Sequence, residues 1–564
     1  MNSSQLRRMW FLAIGLGLAG LVIVGRLFTV QAFQREDLLD IIIDKVPVTD
    51  QPERGIIYDR NGAILAVDRW NYRVAVSPSL LSDPEGLADS LAPILQIPRS
   101  QLLYDMESTA MYVVLDPDVS AETADAIRAL EYGDEVQLDP LPRRFYPQDS
   151  LMCHVLGFVT YDNKGLAGVE GYYQEKLAGE AVTESVFVSP LAEQKTVIAR
   201  EGADLVLTID RNVQYLVEQH LKKALAEHGA ESGSIIVMDP ETGAILAMAA
   251  EPCYSPNNFY DVPKEAIFNP LVSAQFEPGS VMKLITMAAA LDSGTVTPET
   301  TYNDTGVFEI AGSVIYNWDR GAHGTVDMTT LLARSLNVGA ATIATWMGPT
   351  TFYDYLSRFG FGRTTNVDIM SETPGLMPMP GGDGWDETFI ATNAYGQALA
   401  VTPLQMISAV SVLANNGVRM QPHLVQEIRD QNGIEWHEPQ GVRVISETTA
   451  AQMTAMATIA VNQEVQEALV DGYTIAGKTG TAQIRAPFGG YDPNDVIGTF
   501  VGWLPTEDPK IIVYVKLDRP QSAPWGSMTA APVFSDLVKE LVVLLDIPPD
   551  AVRLQASNHT GGGG

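Results

Sequence analysis

The sequence predicts an α+β protein of several domains, tethered by one N-terminal transmembrane helix, whose larger C-terminal part is an antiparallel sheet covered by helices. Three observations carry that expectation. Strand-like apolar runs come in pairs around Asn-Gly and Pro/Gly turns, strands and helices never settle into the regular alternation of a parallel sheet, and an uncharged apolar stretch lies near the amino end. A length of 564 residues allows about four domains, which excludes a single small binding module. With 46% hydrophobic and 19% charged residues the chain can bury large cores and is not a disordered protein. A net charge of −33 excludes a nucleic-acid partner, because a phosphate backbone demands a basic footprint.

The elements follow in order. Met9 to Gly25 is an uncharged apolar run preceded by Arg7 and Arg8 and resumed after Arg26 by Leu27 to Phe33, long enough together to span a bilayer. The arginine pair puts the short tail in the cytoplasm and everything after Gln34 outside. A cleaved signal peptide fits less well, since the apolar core exceeds the usual ~7–15 residues. Arg26, inside the span, either snorkels to the outer interface or pairs with another membrane protein. Next, Gly55 to Tyr58 and Ala63 to Ala66 flank Asp59-Arg60-Asn61-Gly62, a hairpin signal. Leu81 to Leu95 and Ala121 to Tyr132 read as amphipathic helices. Asp204 to Asp210 reads as a strand and Arg211 to Glu227 as a helix, which sets a domain boundary near residue 200.

Beyond it, Ser234 to Met238 and Ala244 to Met248 form a second hairpin around Asp239 to Gly243. Thr474 to Ala476, Ile497 to Trp503 and Ile511 to Val515 supply three more strands, enough for one antiparallel sheet of five. Val281 to Leu291, Met328 to Arg334 and Pro403 to Ala414 are helical stretches to cover it. From Asp550 periodicity is lost, and Gly561 to Gly564 resembles a linker. Cys153 and Cys253 are expected as two separate core thiols, although one bridge is possible. The seven histidines include no His-x-x-x-His pair, so no metal site is expected.

The chemistry begins at Ser280, which opens an apolar helix. Such a serine is ordinarily an N-cap, but Lys283 lies one turn on along the same face, where its amine can reach the hydroxyl. A lysine becomes the base a serine nucleophile needs only if burial or a neighbouring cation lowers its pKa. S-x-x-K alone supports little more than a capped helix with a solvated lysine. Two further elements change its weight. Ser335-Leu336-Asn337 follows a helix and can present a hydroxyl and an amide, and Lys478-Thr479-Gly480-Thr481 follows a strand with glycines that admit a ligand close to the backbone. S-x-x-K, S-x-N and K-T-G in that order are the signature of serine β-lactamases and penicillin-binding proteins.

With these motifs the chain resembles the class B penicillin-binding proteins, peptidoglycan D,D-transpeptidases. The likeness extends to Arg54 to Gly62 near the membrane, the G-x-x-G-V-E-x-x-Y element Gly165 to Tyr173, Phe276 to Lys283, Gly396-Gln397, Val401 to Gln405, Ala476 to Ala482 and Phe500 to Gly502. The resemblance implies a cytoplasmic tail and anchor at 1–33, an elongated α+β, dimerisation-like pedestal at 34–200, a penicillin-binding, serine β-lactamase-like transpeptidase domain at 201–549, and a flexible tail at 550–564. It implies Ser280 as the acylated nucleophile and Lys283 as its base, Ser335 as proton relay to the leaving D-alanine, and Asn337 as holder of the Lys283 amine and the substrate. Lys478 supports Ser335, and Thr479 and Thr481, with Gly480 between them, bind the substrate's terminal carboxylate and backbone. The backbone N–H groups of Ser280 and Thr481 form the oxyanion hole, and Lys283 and Lys478 depress each other's pKa. No metal and no cofactor is implied. The implied partners are D-Ala-D-Ala stem peptides on nascent glycan strands, β-lactams, and a SEDS-family membrane glycosyltransferase. Asn337 with Val338-Gly339 leans toward a division-type member, while Leu336 fits neither the division nor the elongation pattern. Two rivals remain: a D,D-carboxypeptidase or β-lactamase-like hydrolase, which lacks support from a Glu-x-x-Leu-Asn segment, and a non-catalytic membrane assembly factor.

Overall fold

The computed structural model describes residues 47–49, 52–180, 183–185, 201–485 and 490–560. The expected anchor at 1–33 lies outside the described residues, among which no helix is long and apolar enough to cross a membrane. The described residues divide into two compact units: a smaller one containing the antiparallel pair Pro47–Thr49 and Thr183–Ser185, and a larger one running from Arg54 to Ala178 and from Gly202 onward.

The larger unit opens with the expected hairpin. Strand β1 (Ile57–Tyr58) turns through Asp59 to Gly62 into β2 (Ile64–Val76). Asp59 Oδ1 accepts from Asn61 N at 2.9 Å and Ala63 N at 2.7 Å, and Gly62 takes a φ of 85° that side-chain-bearing residues avoid. Helix α1 (Pro84–Leu95) starts three residues later than its periodicity suggests, because Asp83 caps it by accepting from Gly86 N and Pro84 takes the first helical position. Strand β3 (Val113–Val119), helix α2 (Ala121–Arg128) and strand β4 (Val136–Phe145) complete this part. Then come β5 (Asp204–Leu207) and α3 (Arg211–His228), capped by Asp210. The Asp59 turn docks on the start of that helix, its Oδ2 accepting from Arg211 N at 3.1 Å.

Strands β6 (Ser232–Met238) and β7 (Ile245–Glu251) form the second expected hairpin. Helices α4 (Met282–Asp292), α5 (Met328–Ala333), α6 (Asn337–Phe359, broken at Gly348) and α7 (Pro403–Ala414) follow. After them run β8 (Val425–Asp430), β9 (Gly433–Trp436), α8 (Glu447–Glu464), β10 (Ala476–Arg485), β11 (Tyr491–Leu504), β12 (Ile511–Asp518), α9 (Ala530–Leu544) and α10 (Asp550–Thr560). One antiparallel sheet of five strands forms, in the order β10-β11-β12-β6-β7, four of them where expected and β10 overlapping the expected 474–476 only at Ala476. Successive residues of a strand face opposite ways, and here both faces are apolar, so both are covered. Ile236, Met238, Val501 and Tyr514 pack with Leu284 and Met287 of α4 and Met453 of α8. Ile235, Val237, Phe500 and Val515 pack with Val217 and Leu221 of α3 and Phe534 and Leu537 of α9. A second sheet, β9-β8-β5-β1-β2-β3 with β4 also on β2, is antiparallel except where β1 runs parallel to β5.

Three expectations are corrected. The lysine-bearing K-T-G-T run does not follow a strand at 474–476 but forms the first half of β10, paired with β11. The segment from Asp550 is helical, because its first residue is tied down: Asp550 Oδ2 accepts from Thr474 N and Oγ1, both at 2.6 Å. The cysteines are not separate thiols but a disulfide, Cys153–Cys253, with Cα atoms 6.1 Å apart. Their 100-residue separation hid the pairing, which arises because the loop leaving β7 packs on residues 146–154: Tyr254 OH donates to Cys153 O at 3.1 Å and Asn257 Nδ2 to Tyr146 O at 3.0 Å. Closing so long a loop restricts the unfolded chain, so changing both cysteines to alanine is expected to cost about 2–4 kcal/mol in a urea unfolding titration. Reductant should destabilise the native protein and leave the variant unchanged.

The two N-terminal motifs meet in a buried charge cluster. Glu170 accepts from Arg54 Nε at 2.7 Å and from Arg144 Nε at 2.6 Å, and all three side chains are buried. Arg54 also donates to Gln174 Oε1 at 2.9 Å and Glu170 O at 3.0 Å, and Asp68 pairs with Arg144 at 3.3 Å.

Candidate active site

A short turn, Gly279–Val281, leads into α4 and carries Ser280. Gly279 has a φ of 57°, and a Cβ there would lie 2.8 Å from Thr481 O, so only glycine lets the turn sit directly against β10. The Ser280 hydroxyl caps no helix, and Lys283 is 1% exposed, so neither behaves as an ordinary capped helix start would require.

The S-L-N motif occupies the corner between α5 and α6. Ser335 is left-handed, with φ 57°, which swings both its carbonyl and its hydroxyl toward Lys283. Lys283 Nζ lies 2.6 Å from Ser335 O, 2.7 Å from Asn337 Oδ1, and 3.0 Å from each of Ser280 Oγ and Ser335 Oγ. Ser335 O and Asn337 Oδ1 can only accept, so they take the two N–H bonds of a neutral amine, whose lone pair is then free for a hydroxyl proton. Asn337 Nδ2 donates to Tyr316 O at 3.0 Å, which fixes the amide with its oxygen toward the lysine.

Burial pushes the Lys283 amine well below its usual 10.5, and the neighbouring Lys478 charge pushes it further. Burial lowers Lys478 to about 8, with Glu464 acting against it. Of the expected mutual depression, the effect of Lys478 on Lys283 is the part present, and burial is the larger cause for both.

The chain is matched over residues 233–539 by the penicillin binding protein transpeptidase domain and over 49–207 by the penicillin-binding protein dimerisation domain. It is 31% identical to Stage V sporulation protein D of Bacillus subtilis, over 97% of this chain and 87% of that protein. It is 31% identical to the peptidoglycan D,D-transpeptidase FtsI of Escherichia coli K12, over 90% of this chain and 86% of that protein. The chain belongs to the class B penicillin-binding proteins, the peptidoglycan D,D-transpeptidases. Among solved structures, penicillin-binding protein 3 of Mycobacterium tuberculosis complexed with aztreonam has a TM-score of 0.69 and 27% identity, covering 88% of this chain and 97% of that one.

In this penicillin-binding protein, Ser280, Lys283, Ser335 and Asn337 come together as the motif order anticipates. Lys478 is 3% exposed on β10, and Thr481 Oγ1 accepts from Gly526 N at 3.1 Å, while Thr479 stands half-buried beside them. Sequence reasoning missed an exposed aromatic pair near these residues. Trp318 and Trp525, 58% and 43% exposed, meet edge to face with centroids 5.7 Å apart, beside residues that contact Asn337 and Thr481. The polar-aromatic triplet Asn317-Trp318-Asp319, following a short strand, was the available signal.

Proposed function

We propose that Ser280 is the acylated nucleophile and Lys283 its base, in a division-type transpeptidase held at the outer face of the cell membrane. The observation that carries the catalytic assignment is the buried Lys283 amine, 3.0 Å from Ser280 Oγ with its N–H bonds taken by two carbonyl acceptors. Lys283 takes the Ser280 proton as Oγ attacks the carbonyl carbon of the penultimate D-alanine. The backbone N–H groups of Ser280 and Thr481 receive the oxyanion. Collapse breaks the peptide bond, and the departing D-alanine amine gains the proton through Ser335, leaving an ester on Ser280. The amine of a second stem peptide then attacks the ester, gives its proton back along the same path, and closes the cross-link. Lys478 keeps Ser335 poised, and Thr479 and Thr481, either side of Gly480, hold the terminal carboxylate.

After treatment of the full chain with penicillin, peptide mass spectrometry should find a single adduct on the peptide containing Ser280. An adduct on another residue, or none on folded protein, overturns the assignment. Ser280, Lys283, Ser335 and Asn337 carry reactive groups in contact, which speaks against a non-catalytic assembly factor.

The domain reading places a pedestal at 34–200 and the transpeptidase domain at 201–549. Residues 1–33 are read as a single-span anchor, supported by the uncharged run Met9 to Gly25 and the preceding arginines, and the disulfide suits an oxidising compartment outside the membrane. Arg26 gives this span a polar handle for a SEDS-family glycosyltransferase. An unrelated single span in place of residues 1–33, and Arg26→Leu, should each weaken recovery of that partner in pull-downs at equal membrane insertion. Equal recovery with all three spans reduces the segment to a tether.

A further inference from the structure

The S-L-N corner is gripped from behind by two side chains that take no part in the proton transfers. Helix α6 begins at Asn337 with Leu336 at its cap position, a residue that offers no side-chain acceptor. The Val338 N–H donates instead to Oδ1 of Asn317, at 3.1 Å, so the helix is capped by a residue 21 positions away. Asn317 is 1% exposed, and its Nδ2 donates to both carboxylate oxygens of Asp304 at 3.0 Å and to Gly321 O at 3.1 Å. Asp304, also 1% exposed, further accepts from Tyr302 OH and Gly306 N, both at 2.7 Å. The hydrogen bonds this buried carboxylate accepts come from neutral donors, two of them from Asn317 Nδ2, so the amide is locked in one orientation.

That orientation matters because the residue before Asn317 is Tyr316, whose carbonyl receives the Asn337 amide. Residues 316 and 317 thus fix the two ends of one short lever: the side-chain amide of Asn337 and the backbone N–H of the next residue. If the lever turned, Asn337 would offer Lys283 an NH2 in place of an oxygen, a donor facing a donor, and the lone pair would lose its aim at Ser280.

We propose that Asn317, locked by Asp304, is a positioning residue for transpeptidation, holding Asn337 and Ser335 in register with Lys283. This rests on the assignment of Lys283 as base. The test is acylation of the full-length protein in detergent by a chromogenic cephalosporin, resolved into the binding constant Kd and the acylation constant k2. The variants are Asn317→Asp, which sets two carboxylates face to face, Asp304→Asn, which removes the anion, and the double exchange, which restores one amide opposite one carboxylate.

Each single variant is expected to lose about 10- to 100-fold in k2 with Kd within about twofold, since misplacement of a catalytic group acts on the chemical step. The double exchange should recover most of that loss. Wild-type k2 in the folded single variants, or a folded double exchange no better than either, overturns the proposal. Should a single variant not fold, Tyr302→Phe takes one donor from Asp304 while keeping the ring: a severalfold lower k2 at unchanged Kd supports the lock, and wild-type k2 overturns it. The underlying assignment fails separately, if the native protein forms no Ser280 adduct or Lys283→Arg acylates at the native rate.

Discussion

Replacing Lys283 by arginine is expected to lower the acylation rate constant by about 10³-fold, the loss typical when a positioned general base is removed, while β-lactam still binds. Arginine fills the place beside Ser280 and Ser335 with a long basic side chain but cannot give up a proton at any accessible pH, so it removes the neutral base. The pH dependence is a second mark of the same group. Acylation by the native protein should rise with pH as Lys283 deprotonates, and the rise should finish well below lysine's ordinary 10.5, because burial and the Lys478 charge both favour the neutral amine. Loss of the Lys478 proton, near pH 8, should bring the rate down again and give a bell. Stopped-flow acylation across pH would read both limbs, and in Lys283→Arg the acidic limb should vanish. A variant acylating within a few fold of the native protein, with the same limb, removes lysine from the base's role.

The second large effect is on stability, in the buried charge cluster around Glu170. Glu170→Ala should destabilise the fold by about 3–5 kcal/mol, because it strands Arg54 and Arg144 without their shared counter-charge inside the protein. Arg54 would keep its bonds to Gln174 Oε1 and Glu170 O, and Arg144 its pairing with Asp68, so the loss is of charge balance more than of hydrogen bonds. Burial alone would raise the Glu170 pKa, but Arg144 and Arg54 outweigh it and hold it below its usual 4.5. The folded value lying below the unfolded one, Glu170 contributes stability fully above the usual carboxylate range and loses it as pH falls through the lowered value. Urea titrations at neutral and acidic pH should therefore show native and Glu170→Ala proteins converging as the pH drops. Equal midpoints at neutral pH would mean the cluster adds specificity without stability.

The sequence by itself determined the parts of this penicillin-binding protein whose causes are local. Continuous apolar runs located four of the five strands of the central sheet, because both of its faces are buried, and helical periodicity placed α4, α5 and α7 within a residue. The proposed catalytic residues were legible for a related reason: the proposed chemistry restricts Ser280, Lys283, Ser335, Asn337 and Lys478 to few residue types, and their order along the chain is set by the elements that present them. Whatever depended on contacts between distant segments was decided only by the tertiary structure. The cysteines pair across 100 residues because the loop after β7 folds back onto residues 146–154, and no local pattern encodes that return. Asp550 starts a helix because Thr474, 76 positions earlier, donates to its carboxylate. The clamp of Asn317 and Asp304 on the S-L-N corner looks from the sequence like two polar residues at the ends of an exposed hairpin. Burial turns them into a lock, since a polar group removed from water must find its partners wherever the fold brings them.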